Sequence, residues 1–321
     1  MGIKRDSSGE HQSPFRSRPL AAAFLSSVFL ILVFYFHQGI PGAVSLGEKA
    51  AGSSLIPARF GQVVYQFNQE SPNQLFIVGI AHRDSLACLN ADYTSRVQAE
   101  IYKIGEWLIE HDGVELLLPE GYFGRKEGIG KPLGSTKARL AQPLDLQALE
   151  TIFADNRKPV NAEMLLKENY AVRLRQIEDP VLYEDVRKKI SALSRESEDS
   201  CDYPLVIPEL DKLQERRTAA MLQQTPEIVN DEAGRGNIKH RKAMLTIGMS
   251  HVHWVIEYLQ QGRIKTYSPL SSSRKSEKNS VEELNLVKEH FGVTIILPRT
   301  LAEDRNFLEM NRLHGLVSQR R

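Results

Sequence analysis

The chain has 321 residues, 41% hydrophobic and 25% charged, a globular composition that excludes disorder over the whole length and leaves room for one large domain or two ordinary ones. Lys and Arg number 41 against 40 acidic residues, a formal net charge of +1; no footprint for a polyanion follows, and nucleic acid is not expected as a partner. The two cysteines, Cys88 and Cys201, are too few for a disulfide framework and lack CxxC spacing, so two free or buried thiols are expected over one disulfide.

Residues 1–19 carry Lys4, Arg5, Arg16 and Arg18 against Asp6 and Glu10, and the next run, Leu20 to Phe36, has no charge. As a helix this run is about 25 Å long, slightly short of a hydrocarbon core of about 30 Å but longer than most signal-peptide apolar regions. Length favours a retained signal anchor, with cleavage after the small residues Gly42 to Ser45 as the alternative. Under either, the positive flank sends the rest of the chain out of the cytoplasm. The expected location is therefore a membrane, through one N-terminal anchor, or the secreted or periplasmic space if the segment is cut.

Residues 37–59 read as a linker, and GQVVYQFNQESPNQLFIVG, from Gly61, as two strands around the turn signal Ser71, Pro72 and Asn73. From Asp92, as N-cap, to His111, the apolar positions Val97, Ile101, Ile104, Leu108 and Ile109 recur at helical spacing. The short apolar run VELLLPE, ending at Glu120, follows as a buried strand. The region from about 132 to 242 is rich in helix formers, VNAEMLLKENYAVRLRQI among them, and reads as several helices inserted as a stabilising layer or as a lid or substrate wall. AMLTIGMSH then predicts a strand and VHWVIEYLQQG an amphipathic helix, and after a polar loop and VEELNLVKEHFG comes VTIILPR, again a strand.

Part of this order is a repeat. HDGVELLLPE at 111–120 aligns without a gap on HFGVTIILPR at 290–299, and each follows a strand closed by a GxxH motif. The inference is an α/β fold: a mixed or mainly parallel sheet from two pseudo-symmetric β-α-β halves, over residues 60–300, with the helical insertion between them and a tail at 301–321.

The two motifs are GIAH, Gly79 to His82, and GMSH, Gly248 to His251. In an α/β sheet the loops at the carboxyl ends of the strands form the ligand crevice, and a glycine there allows a sharp turn or close approach. A histidine three residues later falls in the first turn of the next helix, whose positive end disfavours imidazolium. Paired in facing halves, His82 and His251 converge; singly, each is as easily a hydrogen-bonded core residue. Glu120 emerges at the same end of the sheet, and a carboxylate beside two imidazoles suits a divalent metal with open positions or a general acid/base role. Glu115 lies mid-strand and reads as an edge or surface residue. Arg299 stands where the second half matches Glu120, to neutralise a substrate carboxylate or to pair with Glu120. His253 points away from His251 and reads as core or supporting, and Asp84 and Ser250 as surface or capping. GMSHV lacks the last glycine of a GxSxG elbow, no HExxH occurs, and GRKEGIGKPLGS, Gly124 to Ser135, lacks P-loop spacing.

The two GxxH motifs, the glutamate closing the strand after the first, and the Arg and Met of ERRTAAM upstream of the second together resemble the TraB/PrgY, GumN and Tiki family, over about residues 60–300. The resemblance implies an active site at His82, Glu120, Arg217 and His251. It also implies a divalent cofactor such as Mn, Co or Zn held by His82, His251 and Glu120, and metal-dependent cleavage of a peptide or protein substrate outside the cytoplasm. LLPEGYFG and IAH depart from that family's usual strand and TAH. GIAHRD with Gln98 on the next helix is also similar to the haem-binding ChaN proteins and the erythromycin-esterase group, which share the expected architecture; a haem- or iron-binding or peptide-capturing protein is the alternative function.

Overall fold

A computed structural model describes residues 55–81, 91–123, 144–155, 160–196, 208–267 and 279–313. The expected anchor at 20–36, His82, Asp84, both cysteines and the Gly124 to Ser135 loop lie outside them.

Six strands form one sheet: β1 (Gly61–Phe67), β2 (Gln74–Ile80), β3 (Leu116–Pro119), β4 (Arg173–Leu174), β5 (Lys242–Gly248) and β8 (Gly292–Pro298), in the order β1-β8-β2-β5-β3-β4. Only β1, against β8, is antiparallel; the other neighbours are parallel. The chain is thus α/β with a mixed, mostly parallel sheet. The inner strands are buried on both faces, as continuous apolar runs such as LFIVG and LTIIL require: Leu75, Ile77, Val78, Leu116, Leu117, Leu118, Leu245, Ile295 and Ile296 are fully buried.

The strand order carries the repeat. Exchanging β2 with β5 and β3 with β8 maps the four central strands onto themselves, so each half crosses over a strand of the other. Ile80 pairs with Gly248 at the carboxyl ends of the two central strands. Helix α1 (Ala91–Trp107) follows β2, and α6 (Met249–Gln261) follows β5. Right-handed crossovers running in opposite directions put these helices on opposite faces. Thr246 of β5 accordingly bonds Glu163 of α3 (Ala162–Asn169), which itself docks on α1 where Gln98 Oε1 accepts the Ala162 N–H at 2.8 Å. On the other face Gly79, in register with Ile247, lies against Met249 of α6.

The predicted helix from Asp92 is present, but Asp92 sits inside its first turn and the last residues, Leu108–Asp112, widen into a π-turn. That turn closes on Gly113 in the left-handed region, φ 73°, with its N–H on Leu108 O, a conformation glycine adopts without steric cost. β1 and β2 flank the predicted turn yet do not pair, because β8 runs between them.

One further expectation is corrected. VNAEMLLKENYAVRLRQI is not one helix: α3 stops at Asn169, and Arg173–Leu174 becomes edge strand β4. The strand is signalled by the alternation in AVRLRQI, which buries Val172 and Leu174. Before β8 the chain adds a small second sheet, β7 (Asn279–Glu283) pairing antiparallel with β6 (Arg263–Tyr267), and a short helix, α7, at Asn285–Lys288. The insertion is therefore helical in α2 (Leu146–Ala154), α3, α4 (Pro180–Glu196) and α5 (Pro208–Gly234), but it also lends β4 to the sheet. Buried Glu232 of α5 ties this edge down by pairing with Arg173 at 2.7 Å and with Arg175.

Candidate active site

All five parallel strands point their carboxyl ends to one edge of the sheet, and the described site residues gather there. Glu120 is fixed first by its backbone: its N–H donates to Thr246 O at 2.9 Å, extending the β3–β5 ladder one residue past the strand. Its carboxylate then meets the start of α6. Oε2 accepts the N–H of Gly248, the residue preceding that helix, and Oε1 lies 3.2 Å from His251 Nε2. An anion belongs at the positive end of a helix. Oε1 also accepts from Arg217 Nη2 at 2.8 Å.

Arg217 is brought in by α5, the long helix of the insertion. Its Nε and Nη2 edge faces Glu178, bonding Oε2 at 3.3 Å and also Oε1, while Nη1 donates to Gln214 Oε1 at 2.7 Å. The Tyr183 ring of α4 lies 5.5 Å from the guanidinium carbon. Glu178 leaves the carboxyl end of β4 as Glu120 leaves that of β3, and Asp179 accepts the N–H of Val181 at 2.7 Å to start α4. The side chains of Arg217, Glu120 and Glu178 are 5%, 4% and 1% exposed. Burial opposes the charge on Arg217, but Glu120 and Glu178 outweigh it and raise its pKa above the ordinary arginine value.

His251 is buried at the third position of α6. Its Nδ1 is 2.7 Å from Thr218 Oγ1, and that hydroxyl also lies 2.8 Å from Gln214 O. With its single proton on the Gln214 carbonyl, the hydroxyl accepts from Nδ1–H, which turns Nε2 toward Glu120.

Glu120, Arg217 and His251 thus meet at one carboxylate oxygen. The two glycines act differently from expectation. Gly248 has φ −56° and ψ 144°, which any residue adopts, and Gly79 lies within β2, where the need is space: a Cβ there would come 2.6 Å from Met249 Sδ. Arg299 does not take the expected place beside Glu120; it is half-exposed and pairs with Glu303 at 2.8 Å. Glu115 sits at the other end of the sheet and accepts the backbone N–H groups of Lys239 and His240. His253 faces Arg312, with Nη1 3.3 Å from Nε2; burial and then Arg312 lower its pKa to about 4, leaving it neutral. Ser250 is exposed. Sequence reasoning missed Glu178, Thr218, Gln214 and Tyr183. Only Glu178 had a signal, an acid following the alternating AVRLRQI at a strand end.

Both oxygens of Glu120 accept hydrogen bonds, Oε2 from the Gly248 N–H and Oε1 from the Arg217 guanidinium, while the second nitrogen of His251 faces Oε1. As arranged, both oxygens of Glu120 are already taken by N–H donors, and His82, the third expected ligand, lies outside the described residues. Among the described residues no three His, Cys, Asp or Glu form a metal-holding group.

No protein-family profile matches the chain, and no curated protein or solved structure is significantly similar to it.

Proposed function

We propose that this chain is a hydrolase of peptide or peptide-like bonds, tethered by its N-terminal segment and working outside the cytoplasm, with its site at Glu120, His251 and Arg217. The observation that carries the reading is the convergence on Glu120 Oε1 of a guanidinium and an imidazole from separate elements, at the sheet edge where α/β folds place their ligands. A network serving stability alone has no need of that edge or of an imidazole turned to a carboxylate.

The roles follow from the hydrogen bonds. Thr218 fixes the His251 ring through Nδ1, so Nε2 is the atom that exchanges a proton with a water or a leaving group admitted between it and Glu120. Glu120 orients that ring and balances positive charge gained on it. Arg217 pairs with the Glu120 carboxylate, and its second Nη1 N–H has no partner among the described residues, which suits an oxygen that becomes negative during acyl transfer. His82 belongs to the expected site, but no step is assigned to it. No step is routed through a metal.

The test is a cleavage screen of the purified full chain in detergent against a fluorogenic peptide library, beside Glu120→Gln and His251→Gln. Cleavage lost by a factor of about 100 or more in both variants, with circular dichroism unchanged, supports the reading. No cleavage, with a Soret band appearing on haem addition, replaces it with a binding protein.

A further inference from the structure

The site already contains its cation. The Arg217 guanidinium bridges two carboxylates that leave neighbouring strands β3 and β4: Nη2 reaches Glu120 Oε1 at 2.8 Å, and the Nε/Nη2 edge is taken side-on by Glu178. Gln214 holds the remaining nitrogen at 2.7 Å. The arrangement comes from three separate elements and lies almost wholly out of water. A planar fork of this kind locks an orientation that the point charge of a lysine cannot.

We propose that Arg217 occupies the position a divalent ion would take at Glu120, that Glu178 locks it there, and that the site works without metal. The inference rests on reading Glu120, His251 and Arg217 as the site, and it concerns which cation resides in it. Two observations carry it. The Glu120 oxygen nearest His251 is the one Arg217 uses, so an ion bridging that carboxylate and imidazole would lie against the guanidinium. The other oxygen is committed to the Gly248 N–H at the start of α6. To enter, an ion must expel a guanidinium that has a second carboxylate holding it back, or share Glu120 with it at the cost of two like charges in a buried space. Glu178 is therefore a positioning residue: it touches Arg217 and acts through it.

The experiment measures metal and not turnover. Full chain in detergent, stripped with a chelator, is titrated with ZnCl2 or MnCl2 by calorimetry and assayed for bound metal. The comparison is the double variant Glu178→Gln/Arg217→Gln, which removes one cation with one anion and so keeps the buried charge balance. Wild type is expected to take up neither ion at micromolar concentration, and the double variant to bind one at least about tenfold more tightly. Near-stoichiometric metal in wild type, lost in Glu120→Gln, overturns the proposal; so does a folded double variant that binds no better than wild type. If the double variant does not fold, the Arg217 Nε–H resonance of the wild type, assigned by its absence from Arg217→Lys, decides. A signal unmoved through the titration supports the guanidinium as resident cation, and one that shifts saturably overturns it. A failed cleavage screen, by contrast, removes the hydrolase reading without touching these measurements.

Discussion

Glu120 and Arg217, 97 residues apart in the chain, meet at 2.8 Å, with side chains 4% and 5% exposed. Their pairing is asymmetric, because Arg217 has Glu178 in reserve and Glu120 has His251 at a longer distance. Arg217→Met strands two carboxylates in the interior and is expected to cost about 3–5 kcal/mol. Glu120→Gln leaves Arg217 paired with Glu178 and costs about 1–3 kcal/mol. Urea unfolding of the two variants checks the order; equal losses would mean that Glu178 does not hold the guanidinium.

Thr218 separates a fixing role from simple packing. Its hydroxyl lies between Gln214 O and His251 Nδ1, so Thr218→Val leaves the buried ring nitrogen without a partner, at about 1–3 kcal/mol. Thr218→Ser keeps both hydrogen bonds and loses only a methyl group. The expected outcome is a His251 side-chain 15N spectrum preserved in the serine variant and altered in the valine variant. An unaltered spectrum in both would remove Thr218 from the site.

What could be read from the chain beforehand divides along physical lines. The strands of both repeats were legible because buried parallel strands must be apolar throughout, and the alignment of 111–120 on 290–299 falls on β3 and β8, the pair that the strand order exchanges. Glu120 was legible because it closes such a strand, and His251 because it begins the helix after one. Arg217 rested on a resemblance alone, since nothing in a helix sequence tells which of Arg216 and Arg217 turns toward a distant carboxylate; both are buried. The strand Asn279–Glu283 was not legible, because it is made by pairing with Arg263–Tyr267 and not by the local propensity of its own residues. Arg299 was misplaced because the repeat matches backbone positions, while the chain supplies the cation from the insertion instead.

Gly79 is a test of space, and Gly121 of backbone conformation. A Cβ at Gly79 would meet Met249 Sδ at 2.6 Å and Leu297 Cδ2 at 2.9 Å. Gly79→Ala is therefore expected to cost about 1–3 kcal/mol by overpacking and to shift the start of α6. Gly121, next to Glu120, has φ +74°, and a Cβ added there would meet nothing within 4 Å, so Gly121→Ala is expected to cost about 1 kcal/mol through strain alone. Thermal unfolding ranks the two; a harmless Gly79→Ala would show that α6 yields freely beneath the site.

Glu100 gives the chain a pH dependence away from the site. It is buried on α1, where Thr300 donates its N–H to Oε2 at 2.9 Å and its hydroxyl lies 2.8 Å from Oε1. Burial raises its pKa from 4.5 to about 7, against the lowering influence of the Thr300 hydrogen bonds, Arg96 and Arg299. Between those two values the folded chain holds a proton that the unfolded chain releases, so stability falls as pH rises from about 4.5 to about 7, by on the order of 3 kcal/mol at most. Glu100→Gln cannot ionise and is expected to flatten that slope, keeping the Thr300 N–H bond through its amide oxygen. Urea unfolding at pH 5 and pH 7.5 in both proteins measures the difference. A wild type that gains stability over this range relative to Glu100→Gln would mean that the Thr300 bonds outweigh burial and hold the carboxylate ionised.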